Sequence, residues 1–118
     1  GKQLEFTDSL KLNYEFRRAY RKGRSAAEPC LVVYARRNGK AGNRLGFTVS
    51  NKLGCAVVRN RVRRRLREIY RLNESRLCRG HDVVVVARSR SVGADYQRLE
   101  REFLRACAEL GLVKESET

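Results

Sequence analysis

The chain has 118 residues, a length that suits one domain and is short for two. Its 27 Lys and Arg residues outnumber 13 Asp and Glu residues, so its formal net charge is +14, and 42% of its residues are hydrophobic. That apolar content argues against disorder throughout the chain, and no stretch approaches the roughly 18 uncharged apolar residues of a membrane-spanning helix. Because 21 of the basic residues are arginines, whose planar donors match phosphate oxygens, the composition favours a nucleic acid over a membrane surface as partner.

The first predicted helix lies near the N-terminus. Residues 1–12 have no clear hydrophobic period and predict an irregular or partly extended lead-in. Asn13 is suited to cap a helix over residues 14–22, and Gly23 is suited to end it. Apolar residues recur at helical spacing among the arginines of this segment, so one face of the helix can pack against a sheet.

Two strands are predicted next. The run CLVVYAR, residues 30–36, is rich in the β-branched and aromatic residues that favour strands. Residues 44–50 alternate apolar residues with small or polar ones, as in a strand with one covered face. Because a polar, glycine-containing turn over residues 37–43 joins the two runs, we expect them to form an antiparallel hairpin.

The second half of the chain predicts a helix, a strand and a helix. A long helix is expected over about residues 56–72. Residues 82–88, DVVVVAR, form a continuous apolar run that suits a strand covered on both faces, often beside a parallel neighbour. A final helix over about residues 95–110 has Asp95 as a suitable cap. Helices packed on a small sheet make an α+β fold, an α/β sandwich, the predicted class.

The long helix is the leading candidate for a binding surface, since seven arginines and one glutamate lie between residues 59 and 71. Its apolar stripe consists of Val58, Val62, Leu66, Ile69 and Tyr70. A common flank away from that stripe holds Asn60, Arg63, Arg64, Arg67 and Arg71. Ordinary solvated helix faces mix both signs of charge, so this concentration of guanidinium groups predicts a polyanionic partner.

Three aromatic residues, Phe16, Tyr20 and Tyr34, allow two interpretations. Phe16 and Tyr20 lie where the first helix would pack on a sheet, which favours a role in the core. Aromatic faces beside a basic groove can also stack on unpaired bases, and tyrosine suits a half-solvated position of that kind. The residue pattern alone leaves both interpretations open.

Catalysis by protein side chains has little support in the sequence. General acid–base cleavage of RNA usually needs two positioned titratable groups, and His81 beside Asp82 is the one pair that includes a histidine. The acidic residues are scattered, which does not suit a metal nuclease. We therefore assign no catalytic and no metal-binding residue to the protein.

The cysteines and the N-terminal segment bear on the cellular compartment. The four cysteines are Cys30, Cys55, Cys78 and Cys107. They form no CxxC pair, so a zinc site is not expected, and we interpret them as reduced, small hydrophobic residues. The segment GKQLEFTDSL lacks the apolar run of a secretory signal. We expect a cytoplasmic protein.

At residues 49–71, VSNKLGCAVVRNRVRRRLREIYR, the sequence resembles the protein component of bacterial ribonuclease P. Arg59, Asn60 and Arg61 match the RNR signature of that family. The run NYEFRRAYRKGRS resembles its first helix, LVVY one of its strands and GHDVVVVAR its last strand. The resemblance covers about residues 9–110 in the expected order, and it implies that residues 1–118 form a single ribonuclease P protein domain.

For the fold, the resemblance implies the element order α-β-β-β-α-β-α with a small mixed sheet, similar to a ribosomal-protein fold. It also implies a left-handed β-α-β crossover around the arginine helix, against the usual right-handed preference. The residue pattern by itself supports three strands, so a further short strand would have to come from a segment that we interpret as irregular.

For function, the resemblance implies a subunit of a ribonucleoprotein endoribonuclease. Its RNA subunit, with Mg²⁺ bound mainly to RNA, would hydrolyse the phosphodiester at the 5′ end of mature tRNA. The protein would bind that RNA subunit and hold the 5′ leader of precursor tRNA in a cleft. We expect the protein to be monomeric within the holoenzyme.

The site residues implied by the resemblance fall into two sets. Leader nucleotides would stack or pack on Phe16, Tyr20 and Tyr34. The RNA subunit or leader phosphates would be contacted by Lys52, Arg59, Asn60, Arg61, Arg63, Arg65 and Arg67. Asn51 stands where the family commonly has a basic residue, and Cys55 where it has a better helix cap.

Two other functions remain open from the sequence. A non-catalytic RNA-binding protein of ribosomal type would share the basic helix but would have no leader cleft. An autonomous nuclease would cleave RNA without a partner and would depend on His81 or Asp82.

Overall fold

The computed structural model describes residues 4–114. Its elements are, in chain order, β1 (Thr7–Ser9), α1 (Asn13–Lys22), β2 (Arg24–Ala27), β3 (Leu31–Arg37), β4 (Asn43–Thr48), α2 (Ala56–Asn73), β5 (His81–Ala87) and α3 (Tyr96–Glu109). The predicted α+β class is confirmed, and the order from α1 to α3 is the one that the resemblance implies. The short strand β1 precedes that order, within the lead-in that was predicted to be irregular or partly extended.

The five strands form one mixed sheet in the order β1-β4-β5-β3-β2. β5 lies at the centre, parallel to β4 and antiparallel to β3. The parallel neighbour predicted for β5 is therefore confirmed. β4, α2 and β5 form the parallel crossover that the resemblance implies; its left hand stays a prediction.

The predicted hairpin of β3 with β4 is wrong, because β5 is inserted between them. β5 is almost continuously apolar, and a central position covers both of its faces and pairs both of its backbone edges. The loop between β3 and β4 crosses the end of β5 instead of turning tightly. Asn38 fastens it there, its backbone N–H donating to the Gly80 carbonyl at 2.9 Å and its side-chain amide to Asp82 Oδ1 at 3.0 Å.

The two faces of the sheet are covered differently. α2 and α3 pack with one face in the larger core, whose main side chains include Val33, Leu45, Val83, Leu66 and Phe103. α1 lies on the other face, where a smaller cluster comprises Leu10, Ala19 and Val84 with Phe16, Tyr34 and Val86 at its margin. The face of the sheet that carries α1 is thus only partly covered, and this face contributes to a groove.

The helix ends show which cap predictions hold. Asp95 caps α3, because its carboxylate accepts a hydrogen bond from the Arg98 N–H at 2.8 Å. Asn13 does not cap α1: the N-cap position is Leu12. Glu15 supplies the missing acceptor, taking the N–H groups of Lys11 and Leu12 at 3.1 and 3.0 Å. This carboxylate satisfies the donors at and before the N-cap, as the glutamate of a capping box does, but it does not accept from the first-turn N–H groups that a capping side chain would bind.

The cysteines are all free thiols. Cys30 and Cys107 are buried, as predicted for small hydrophobic residues, and burial raises the pKa of Cys107 to about 12. Cys55 is exposed at the start of α2 and makes no side-chain cap hydrogen bond there, in line with the poorer cap inferred from the sequence. Within residues 4–114, no helix is long and apolar enough to cross a membrane.

Candidate nucleic-acid interface

A groove of about 1420 Å³ separates α2 from β1 and the start of α1. Residues from Thr7 to Leu12 form one wall, and Arg63, Arg64, Arg67 and Arg71 of α2 form the other. The floor consists of β4 from Arg44 to Phe47, with Phe16 of α1 beside it. The groove therefore combines a guanidinium wall and an aromatic ring above a strand that is buried at Leu45 and Gly46.

α2 presents its arginines to the groove because its apolar stripe is anchored in the core. Val62, Leu66, Ile69 and Tyr70 are buried, and Val58 is half-buried. The Tyr70 hydroxyl is held by the Asn43 amide at 3.2 Å and by Thr7 Oγ1 at 2.8 Å, so the helix is also bonded to both strands beneath the groove. Rotation of α2 about its axis would break these contacts.

Positive charge on α2 is largely unbalanced. Arg71 pairs with Glu68 one turn earlier, with Arg71 Nε 3.1 Å from Glu68 Oε2, and this interaction lowers the pKa of Glu68. In the part of the chain that the structure describes, no carboxylate lies within ion-pair distance of the other six α2 arginines. Such a wall attracts polyanions, and repulsion among its members falls when phosphates bind.

Two ring carbons of Phe16 occupy the space that Gly46 leaves in the floor of the groove. A Cβ atom at position 46 would stand 2.5 Å from two ring carbons of Phe16, closer than any real contact. Gly46 is thus needed for the position of the ring. The alternation of residues 44–50 placed Gly46 on the face opposite Leu45, which is confirmed, but it gave no indication that an aromatic ring would occupy that space.

Tyr20 and Tyr34 extend the aromatic surface beyond Phe16 on the same face of the sheet. Their rings meet edge to face with centroids 4.9 Å apart, and the Tyr20 hydroxyl lies 2.5 Å from Thr48 Oγ1. Phe16 and Tyr34 are only partly buried against the smaller cluster. The packing interpretation is confirmed for their inner ring faces, and the accessible ring surface leaves base stacking as a prediction.

The ribonuclease P family model matches residues 4–111 of this chain. The chain belongs to the ribonuclease P protein family. The ribonuclease P protein component of Natranaerobius thermophilus is 42% identical over 108 residues, covering 92% of this chain and 94% of the relative. That of Alkaliphilus metalliredigens is 40% identical over 110 residues, 93% of this chain and 99% of the relative.

Solved structures of this family share the fold. The Staphylococcus aureus RNase P protein superposes with a TM-score of 0.82 at 31% identity, covering 90% of this chain and 97% of its own. The Thermotoga maritima RNase P protein gives 0.76 at 31% identity, covering 83% and 93%. The resemblance inferred from the RNR segment is confirmed. A ribonuclease P protein component is a subunit of an endoribonuclease and has an RNA partner.

The RNA-binding residues that the resemblance implies on and before α2 do not all line the groove. Arg63 and Arg67 line the groove. Arg63 also donates to Asn60 Oδ1 at 3.0 Å, one turn earlier in α2. Arg59 turns back to the Gly54 carbonyl at 3.2 Å, and Arg65 reaches the Ala94 carbonyl at 3.3 Å, outside the groove. Exposed side chains outside it also include Lys52 and Arg61. The ribonuclease P protein therefore has basic groups both in the groove and on the outer surface of α2.

Three groove arginines are absent from the set that the resemblance implies. Arg64 and Arg71 lie on the flank that the helical wheel identified, so periodicity alone could have included them. Arg44 is different, because it comes from the floor strand. Arg44 Nε and Nη2 donate to the two oxygens of Asp82 at 2.8 and 2.7 Å, and its Nη1 pairs with Glu15.

The Arg44 ion pairs hold α1 against the sheet beneath the groove. Burial opposes ionisation of Asp82, but hydrogen bonds from Arg44 and Asn38 and the charges of Arg44 and Arg36 keep its pKa below the ordinary aspartate value. The pKa of Glu15 is also lowered, first by the backbone N–H groups of Leu12 and Lys11. Both carboxylates are thus ionised at neutral pH, and Arg44 bridges the helix and the central strand.

His81 and Asp82 do not form a catalytic pair. They are consecutive in β5, so their side chains point to opposite faces of the sheet. Asp82 is buried among cationic partners, whereas His81 lies on the α3 face. The geometry therefore disfavours the autonomous nuclease. Within residues 4–114, no group of three or more His, Cys, Asp or Glu side chains could hold a metal ion.

Proposed function

We propose that this chain binds the catalytic RNA of ribonuclease P and holds the 5′ leader of precursor tRNA in the groove. The observation that carries the proposal is the groove itself, which places Phe16 opposite four arginines of α2. An unpaired RNA strand needs an aromatic surface for its bases and cations for its phosphates, and the groove offers both.

The two surfaces of α2 suggest a division of roles. Leader phosphates would bind the groove wall of Arg63, Arg64, Arg67 and Arg71, while leader nucleotides pack on Phe16. Tyr20 and Tyr34 would continue the contact along the sheet. The outer residues, the basic Lys52, Arg59, Arg61 and Arg65 together with Asn60, would bind the RNA subunit. Arginine suits both tasks, because its planar fork can donate two hydrogen bonds to one phosphate.

In this proposal the protein is not the source of catalytic groups. The RNA subunit, with Mg²⁺ held mainly by RNA, would hydrolyse the phosphodiester and release the leader from the mature 5′ end. The protein would lower phosphate repulsion between substrate and RNA subunit, which raises substrate affinity at physiological salt. It would act in the cytoplasm as one copy within the holoenzyme.

The first test is single-turnover cleavage of a leader-bearing precursor tRNA at low Mg²⁺. Three reactions are compared: the protein alone, a bacterial ribonuclease P RNA alone, and both together. We expect efficient cleavage at the mature 5′ end only in the combined reaction. Cleavage by the protein alone would instead indicate a nuclease, and no enhancement with a well-folded RNA subunit would indicate a generic RNA-binding protein of ribosomal type.

The second test asks whether the groove holds the leader. Phe16→Leu keeps an apolar side chain on Gly46 but removes the ring, and Tyr14→Ala removes an exposed aromatic ring from the same helix outside the groove. We expect Phe16→Leu to weaken holoenzyme binding of precursor tRNA by about fivefold or more, the worth of one stacked base. Binding of mature tRNA should not change. Equal losses for both tRNAs, or an equal effect of Tyr14→Ala, would contradict leader binding in the groove.

A further inference from the structure

A second basic hollow lies at the end of the sheet where β3 ends and β5 begins, and it shares no lining residue with the groove. It has a volume of about 420 Å³. We call it the distal hollow; it is lined by Lys22, Arg24, Arg36, Arg37 and His81 above the buried Leu110. It opens beyond the end of α3 at Glu109, beside the pair that Arg37, the last residue of β3, forms with His81, the first residue of β5.

The strand register brings like charges together in the distal hollow. Arg37 is directly opposite His81 in the β3–β5 pair, and Arg24 is paired with Ala35, two residues before Arg37. Diagonal neighbours of this kind lie about 7–8 Å apart, so the charges of Arg24 and Arg37 repel each other across the two strands. His81 is neutral at neutral pH because its pKa is lowered, and it adds an imidazole instead of a third charge. The arrangement therefore favours binding of an anion that would offset this repulsion.

In the part of the chain that the structure describes, one ion pair reaches this cluster and most of its positive charge is left unbalanced. Lys22, Arg24 and Arg37 have no carboxylate within ion-pair distance, and only Arg36 makes an ion pair, at 3.4 Å to Asp82. No Asp or Glu lines the hollow. Nδ1 of His81 is buried without a hydrogen-bond partner. Burial, followed by the charge of Arg37, lowers the pKa of His81, as expected in an uncompensated positive environment.

We propose that the distal hollow is a phosphate-binding site, with Arg24 and Arg37 donating to the phosphate oxygens and His81 at its edge. Two arginine side chains on neighbouring strands offer more donors than a single carboxylate ligand could accept. A phosphate group has enough acceptor oxygens to bind both. The phosphate can be inorganic phosphate or a phosphodiester of the RNA partner. The site shares no residue with the groove, so a test of phosphate binding here is independent of whether the groove binds the leader.

The single histidine of the chain makes the site directly observable, because its imidazole signals in NMR spectra need no assignment. Inorganic phosphate is titrated into the full chain against chloride at constant ionic strength. We expect a saturable shift of the His81 signals. The Arg24→Gln/Arg37→Gln variant should weaken phosphate affinity by about tenfold or more, since a charge-assisted hydrogen bond is worth about that factor.

The matched control is Arg90→Gln/Arg101→Gln, which removes two exposed arginines that make no ion pair within residues 4–114. It lowers the net charge equally, so it should leave the phosphate titration unchanged. A His81 shift that does not saturate, or one that both variants reduce equally, would overturn the proposal. Far-UV circular dichroism checks that each variant is folded.

A second arm identifies the source of the phosphate. Affinity for a bacterial ribonuclease P RNA is measured over a salt series for both variants. If the site takes a phosphodiester, Arg24→Gln/Arg37→Gln should bind this RNA more weakly than the control does. Its salt slope should also be smaller by about 1 for each phosphate that the variant no longer binds. Equal RNA affinities, together with loss of phosphate binding, would assign the site to inorganic phosphate.

Discussion

Replacing Arg44 with leucine should separate α1 from the sheet that carries the groove. Arg44 bridges Asp82, which is fully buried, and Glu15, which is 8% exposed. Removing one partner of a buried ion pair usually costs about 3–5 kcal/mol, because the remaining charge is left uncompensated. Domains of this size are stable by about 5–15 kcal/mol, so the free energy of unfolding should fall by a large fraction.

The remaining partners of Asp82 and the geometry of the replacement side chain determine how large the loss of unfolding free energy is. Asp82 keeps hydrogen-bonding contacts with Asn38 at 3.0 Å and Arg36 at 3.4 Å, which places the expected loss near the lower end, at about 3 kcal/mol. Arg44→Lys retains the charge but cannot pair with both oxygens of Asp82 through a planar fork, so its loss should be intermediate.

Urea unfolding at neutral pH and fixed salt, followed by circular dichroism, measures these losses. Arg105→Leu is the matched control, since Arg105 pairs with Glu28 at 2.7 Å but its own side chain is 65% exposed. Exposed pairs contribute about 0–1 kcal/mol. A loss of less than about 1 kcal/mol for Arg44→Leu, no larger than that of the control, would refute the argument that this bridge is energetically buried.

The pH dependence follows from the same ion pairs. The pKa values of Asp82 and Glu15 are lowered in the folded protein, so their stabilisation is present above the ordinary carboxylate range and is lost as pH falls through the folded values. In Arg44→Leu those carboxylates lose their main cation and take up protons at higher pH. The difference in stability between the wild-type protein and the variant should therefore shrink as pH falls below the ordinary carboxylate pKa values of 4.5 and 3.8 towards the lowered folded values. A constant difference would contradict this account.

Three further predictions concern the groove and its margin. Gly46→Ala should destabilise the protein by about 1–3 kcal/mol in thermal unfolding, because the new methyl group overlaps the Phe16 ring. Gly93→Ala is the control, since a Cβ atom there meets no atom within 4 Å. Equal destabilisation by the two variants would refute the argument. Glu74→Gln should speed hydrogen exchange at Glu5 and Phe6, whose N–H groups donate to the Glu74 carboxylate at 2.8 and 3.1 Å, whereas unchanged exchange would show that β1 is held otherwise. If about six phosphates of a single strand are contacted, log affinity for leader RNA should fall with log salt with a slope near −4, and a slope near zero would exclude a phosphate-based interface.

Sequence periodicity determined the surface chemistry of α2. The spacing of Val62, Leu66 and Ile69 fixes which side of the helix enters the core, and the arginines must then lie on the remaining sides. The same local logic predicted the central apolar strand and the Asp95 cap. These features depend on residues within one or two turns of each other, which is the range over which side-chain spacing acts.

Long-range pairing was decided only by the tertiary structure. Local spacing would allow β3 and β4 to form a hairpin. In the structure both strands pair with β5 instead, because β5 is apolar on both faces and is buried most fully between them. Strands β1 and β2 are too short to show a period, and they are strands because a neighbouring edge pairs with them.

The groove combines both kinds of information. Its arginine wall follows from the α2 sequence, but its floor depends on Arg44 meeting Asp82 and Glu15, which are 38 and 29 residues away in the chain. The space for Phe16 depends on Gly46 in another element. Contacts between residues so far apart are set by the packing of the whole sheet, so local spacing determines the charges of this protein, and the fold determines where they meet.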